Sequence, residues 1–176
     1  MFRRGGVLLL AAAILLSGCM TGGPGTEYAA VAQKIGPPGA GHSRIVVFQE
    51  KSKNLGLNAC ACEMKLDGEP IGKVIVGTYA YADRPAGPHQ LVASEALFPG
   101  ETRRDFTTQS GRIYCFVARS SERHDAVAGG AILGGIAGVV AASVVTSGNQ
   151  NPGPVDFFPL DEATAKIALA ELRLAQ

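Results

Sequence analysis

Residues 59–76 read Ala-Cys-Ala-Cys-Glu-Met-Lys-Leu-Asp-Gly-Glu-Pro-Ile-Gly-Lys-Val-Ile-Val. Cys60, Cys62, Met64 and Leu66 recur with a period of two, and Glu63 and Lys65 fill alternate positions. A strand with one buried face requires that alternation, because successive side chains point to opposite faces. Asp67-Gly68 follows at once, and this pair tolerates the positive φ angles of a two-residue hairpin turn. Residues 71–76 then return as a second strand. Working outward, residues 44–49 (RIVVFQ), 78–82, 90–94, 102–108 and 112–119 are further short β-rich runs. Arg84-Pro85-Ala86-Gly87-Pro88 is a turn that no helix crosses. Short strands with turn signals every eight to twelve residues predict a mainly β fold, a small antiparallel β-sandwich over residues 44–120.

The chain has 176 residues, 47% hydrophobic and 18% charged, with 23 Gly and no Trp. It is too apolar for a disordered chain and too poor in charge for a long coiled coil. The first residues carry an address. Met1-Phe2-Arg3-Arg4 is basic, residues 7–16 are an apolar run, and Leu16-Ser17-Gly18-Cys19 follows. The run is the length of a signal h-region and too short to span a bilayer. The four residues that end it resemble the lipobox of bacterial lipoproteins. That resemblance implies a signal peptide over 1–18, cleavage between Gly18 and Cys19, and acylation of Cys19, with membrane lipid as the partner. Several acyl chains make such an anchor stable, where one alone is marginal. An ordinary secretory signal with an incidental Cys19 is the alternative. Met20, where Asp favours inner-membrane retention, points to the outer membrane with the domain in the periplasm. Without Arg3 and Arg4 the chain carries 14 basic and 15 acidic residues. No cationic excess exists to neutralise phosphates, so nucleic acid is not an expected partner.

Residues 19–43 are rich in Gly, Pro and Ala and read as a flexible tether, with a helical turn at 27–34. The order of Arg44-Ile45-Val46-Val47-Phe48, Leu66-Asp67-Gly68-Glu69-Pro70-Ile71-Gly72, Gly77-Thr78-Tyr79-Ala80-Tyr81 and Asp83-Arg84-Pro85-Ala86-Gly87-Pro88-His89 resembles a family of bacterial envelope lipoproteins whose domain has no known function. The resemblance covers residues 44–119, with echoes in the tether and at 163–174. It implies a β-sandwich-like lipoprotein domain and supplies no reaction.

This chain departs from the pattern through an insert at 126–145, twenty residues without a charge. Ala126, Gly130, Gly134, Gly138 and Ala142 fall on a stride of four, which on one helix forms a single stripe. Such a stripe lets another backbone approach closely, as in helix association within lipid. The expected packing residues are Gly130, Gly134 and Gly138. The expected partners are the membrane, a second copy of the chain or another envelope protein. A helical hairpin folded on the domain, or a Gly-rich loop, is the alternative. Residues 146–160 read as a loop. Residues 161–175 read as a helix capped by Asp161, with an apolar stripe of Ala163, Ile167, Ala170 and Leu174.

Three cysteines remain after Cys19. A disulfide from Cys115 to Cys60 or Cys62 is expected in an oxidising compartment, and three reduced core thiols are the alternative. A metal site needs a third and fourth ligand that C-x-C on an apolar face does not supply. His42, His89 and His124 show no spacing that suggests a site, and no Gly loop ends in the Lys-Ser/Thr of a phosphate cradle. Asp83 and Arg84 read as a local ion pair. No catalytic residue, metal or cofactor is therefore expected, and the reading is a non-enzymatic, lipid-anchored envelope protein. The alternative is a module that binds a peptide, a glycan or an assembly partner.

Overall fold

The computed structural model describes residues 27–51, 60–148 and 150–175. Residues 1–18, the expected signal peptide, and Cys19 lie outside them. The elements run α1 (Tyr28–Ile35), β1 (His42–Phe48), β2 (Cys62–Leu66), β3 (Glu69–Val74), β4 (Thr78–Pro85), β5 (Pro88–Glu95), β6 (Glu101–Thr107), β7 (Ile113–Ser120), α2 (Glu122–Val145), β8 (Val155–Leu160), α3 (Glu162–Leu169) and β9 (Arg173–Leu174). They form a sandwich of a five-stranded sheet, β8-β7-β1-β4-β9, and a four-stranded sheet, β3-β2-β5-β6.

The four-stranded sheet is antiparallel throughout and grows from the hairpin read in the sequence. Cys62, Met64 and Leu66 face the core while Glu63 and Lys65 face solvent. Asp67 has φ 55° and Gly68 φ 86°, the paired left-handed geometry of a tight hairpin turn. The five-stranded sheet corrects the all-antiparallel expectation. β1 pairs antiparallel with β4 but parallel with β7, and β9 pairs parallel with β4.

β1 sits at the centre of that sheet and is buried on both faces, which accounts for its unbroken apolar run. Ile45 and Val47 point between the sheets, toward Met64, Leu66, Leu91 and Phe116. Val46 and Phe48 point the other way, into a second apolar layer with Tyr28, Val31, Tyr79, Cys115, Ala165 and Leu169. Helices α1 and α3 close this outer layer. The second half of the expected tether is therefore docked on the domain: Tyr28 and Val31 of α1 are buried, and the Tyr28 ring meets Tyr79 edge-on at 5.3 Å.

Residues 146–160 are more than a loop, because β8 pairs with β7 from Ser120↔Val155 to Cys115↔Leu160. Pro159 is tolerated because β8 is an edge strand. The last helix is shorter than 161–175 and turns a different face inward. Asp161 does cap it, accepting the Thr164 backbone N–H at 2.9 Å. The buried residues are Ala165, Leu169 and Leu172, and Ile167 is 78% exposed. Both stripes have helical spacing, and the position of β9 beside β4 selects the one that faces the sheet. The expected Asp83–Arg84 pair is also replaced. Asp83 instead accepts two 2.7 Å hydrogen bonds from the buried Arg44 guanidinium, across the β1–β4 ladder.

Candidate functional site

The β7–β8 register makes the insert an elaborated hairpin loop. Strands β7 and β8 separate after Ser120 and rejoin at Val155. The neck between them is sealed by Ser121, whose N–H donates to Pro154 O at 3.0 Å and whose hydroxyl donates to Gly153 O at 2.7 Å. The same hydroxyl caps α2 by accepting the His124 N–H at 3.0 Å.

α2 is not one straight rod. Gly135 adopts φ 57°, ψ −140°, and the helix doubles back there. The arms, 122–134 and 136–145, meet at Gly130 and Gly138. A Cβ added to Gly130 would lie 2.5 Å from the Gly138 carbonyl oxygen, and one added to Gly138 would strike the Gly130 carbonyl. Two of the three expected packing glycines are thus in contact, within one chain. Gly134, beside the turn, has open space around its Cβ position and packs on nothing. The single-stripe helix is corrected to a helical hairpin that reverses at Gly135, next to the third glycine.

The hairpin leaves from one pole of the sandwich. The register places Phe48, Thr78, Glu95, Cys62 and Ser120 at that end, and Asp67, Pro85 and Thr107 at the other. Its base is pinned to the domain by His124, whose Nε2 lies 3.0 Å from a Glu95 oxygen. The second Glu95 oxygen accepts the Ala61 N–H at 3.0 Å. The Arg123 guanidinium lies 5.9 Å from the centre of the Phe98 ring, with Nε buried and unbonded. Above this base the hairpin is bare. Leu133 is 91% exposed, Ile136 86% and Val145 83%. An apolar groove of about 340 Å³ runs between both arms and the β5–β6 turn, lined by Leu97, Phe98, Val127, Ala131, Ile136 and Val139. Leu97 is fully exposed at φ 66°, a backbone region that apolar residues seldom adopt.

Ten large apolar side chains are exposed among the described residues. Eight belong to this pole: six on the hairpin, Leu97 on the β5–β6 turn, and Ile75 on the β3–β4 turn. Isolated exposed apolar residues are ordinary on protein surfaces, but their concentration at one pole is not. The chain also enters the domain here. Glu27 bridges and ion-pairs with Arg173, which lies beside Thr78 at the start of β4.

The other expected residues fall elsewhere. Cys60 and Cys62 are joined to each other, buried between the sheets. Cys115 is free, and the expected bond to it is corrected: it lies on the opposite face of the five-stranded sheet, under α1 and α3. Burial pushes its thiol up to about 12, so it is an inert core group. Both His89 nitrogens are engaged at the far pole, by Asp67 at 2.7 Å and Pro85 O at 2.9 Å. Among the described residues no group of three His, Cys, Asp or Glu is arranged to hold a metal ion. A second cleft, of about 610 Å³, lies between edge strands β6 and β8 and is lined by Arg103, Arg104, Asn151, Asp156 and Phe157. Sequence reading found the hairpin glycines but missed Leu97, Glu95 and His124. The only signal for these was Leu97-Phe98-Pro99, an apolar tripeptide where a polar turn is usual.

No curated protein matches the chain. Residues 39–131 match the family described as a protein of unknown function, DUF2846, which reaches from the entry to β1 through β7 into the first arm of the hairpin; with more than half of its residues matched, the chain belongs to that family.

Proposed function

We propose that this protein is a non-enzymatic, lipid-anchored component of the bacterial envelope. Acyl chains on Cys19 hold it at the outer membrane. The sandwich stands in the periplasm as a rigid mount, and the apolar hairpin makes its working contact with membrane or with another envelope protein. The observation that carries this reading is the hairpin itself. Residues 126–155 contain no charged side chain, yet six of the eight Val, Ile and Leu side chains in 126–145 are exposed rather than packed on the domain. A soluble domain gains nothing from that arrangement, because apolar surface is stabilised only when something removes it from water.

The experiment replaces residues 126–145 with a short Gly-Ser turn in the lipidated chain. Because the Ser121 bonds and the β7–β8 ladder lie below the cut, the domain should keep its melting temperature. It should remain membrane-bound through Cys19 and lose its crosslinked partners. Cys19→Ala should abolish fatty-acid labelling. Unchanged crosslinking in the deletion would move the working surface to the sandwich. The cleft between β6 and β8 supports that second reading, since both are edge strands and an extended peptide can pair with such an edge.

A further inference from the structure

We infer that the hairpin is a re-entrant membrane element: its tip enters the leaflet that holds the Cys19 acyl chains, and both arms return to the same side. This rests on the lipid-anchored reading above and names what the apolar surface meets.

Length decides against crossing. At 1.5 Å per residue the arms 122–134 and 136–145 are about 20 Å and 15 Å long. The hydrocarbon core is about 30 Å thick, so neither arm spans it, although the same residues in one straight helix would. The Gly130–Gly138 contact holds the arms folded, because the backbones touch where side chains would separate them. The turn departs from helical geometry at Gly135 alone, so the carbonyls that end the first arm and the N–H groups that open the second, which any helix reversal frees, are confined to the tip.

Position selects the bilayer over a second copy. Cys19 is eight residues before Glu27, and Glu27 is fixed at the pole from which the hairpin leaves. Eight residues reach at most about 28 Å. The anchor therefore holds this pole, and not the opposite one, near the membrane surface. Leu97 and Ile75 lie on separate turns of the same pole and extend the apolar surface beyond the hairpin. Three chain segments that are unrelated in sequence thus expose apolar side chains at the pole that the anchor keeps near the membrane. Exposed polar groups collect at the hairpin base, with Glu122 and Asp125 on one arm and Ser147 after the other. That distribution is the one expected where headgroups give way to acyl chains.

The test uses the full lipidated chain in vesicles of phosphatidylethanolamine and phosphatidylglycerol, with single-cysteine variants and a membrane-impermeant maleimide added outside. Cys60 and Cys62 are bonded and Cys115 is buried, so the introduced thiol reports alone. Glu122→Cys and Ser147→Cys mark the two ends of the hairpin, Leu133→Cys the tip, and Gln109→Cys the opposite pole. All four sites are exposed in the protein. The ends and the far pole should label, whereas Leu133→Cys should label roughly tenfold more slowly than in the lipid-free Cys19→Ala form, since a thiol in hydrocarbon does not ionise. Protection of one end with labelling of the other would mean a span and overturn the inference. Labelling of the tip at the lipid-free rate, in chains that remain with the vesicles, would overturn it and leave the anchoring reading intact. Tip protection that needs no lipid and yields Leu133→Cys dimers with a bifunctional thiol reagent would assign the surface to a second copy. A lipidated chain that fails to stay with vesicles would overturn the anchoring reading and the inference together.

Discussion

The carbonyl oxygen of Gly138 lies 2.5 Å from the position that a Cβ on Gly130 would occupy. The two arms of the hairpin cannot be this close with any larger residue at either site. Gly130→Leu should open the arms, at a cost of about 1–3 kcal/mol in hairpin closure. Gly134→Leu, with open space around its Cβ, should leave them closed. The interarm distance between paired spin labels checks this: a longer distance is expected for the first variant only. The melting temperature of the sandwich should move little in either, because most of the hairpin makes no contact with the domain.

Arg44 is 3% exposed and Asp83 34%. The guanidinium donates two 2.7 Å hydrogen bonds to the carboxylate, one to Gly36 O, and lies over the Tyr81 ring. Asp83→Ala removes the only carboxylate paired with this buried charge among the described residues and should cost about 3 kcal/mol, the low end for a broken buried pair because Asp83 keeps some solvent. Arg84→Ala should be within about 0.5 kcal/mol of the parent, as for a surface change. Urea unfolding of the two variants distinguishes the cross-strand pair from the local one.

Gly68 has φ 86° at the second position of the β2–β3 turn. A β-branched residue resists that backbone region, so Gly68→Val should destabilise the domain by about 1 kcal/mol or more. Asp67 adds a second role at this turn, accepting the Gln90 N–H at 2.9 Å and facing His89 Nδ1 at 2.7 Å. Asp67→Ala should therefore loosen the hairpin from β5, read as faster amide exchange at Gln90.

The Cys115 thiol is held neutral in the fold, raised by burial from 9.0 to about 12. The unfolded thiol ionises first, so the contribution is fully present below pH 9 and is lost as pH rises toward 12. In that window the parent should lose stability more steeply than Cys115→Ala, by up to about 1.4 kcal/mol per pH unit. Denaturation curves across the window test the sign. Thiol counting should find no reactive group in the native described domain, one after unfolding without reductant, and three after reduction.

The elements that were legible in the sequence share a feature: their causes are local. The period of two in residues 60–66, the Asp67-Gly68 turn and the Asp161 cap each depend on neighbours a few residues away. The elements that differ from the sequence reading depend on partners far along the chain. Residues 155–160 lack strict alternation and carry Pro159, and they become a strand because β7 offers an edge. The Ile167 stripe and the Ala165 stripe have the same period, and only packing on the sheet separates them. Cys115 shares a residue type with Cys60 and Cys62 but sits across a sheet from them, and no spacing encodes that.

The site divides in the same way. The sequence by itself determined that residues 126–145 are apolar, charge-free and spaced for close backbone contact, because composition and stride are properties of the chain. It also determined a β domain in which short strands alternate between a buried and an exposed face. Only the tertiary structure decided that the stride is used within one chain, across the turn at Gly135, rather than between chains along one helix. Only the tertiary structure decided that the hairpin, Leu97, Ile75 and the entry of the chain at Glu27 share one pole. Strand order sets that meeting, and strand order follows from which faces can be buried together across long stretches of sequence.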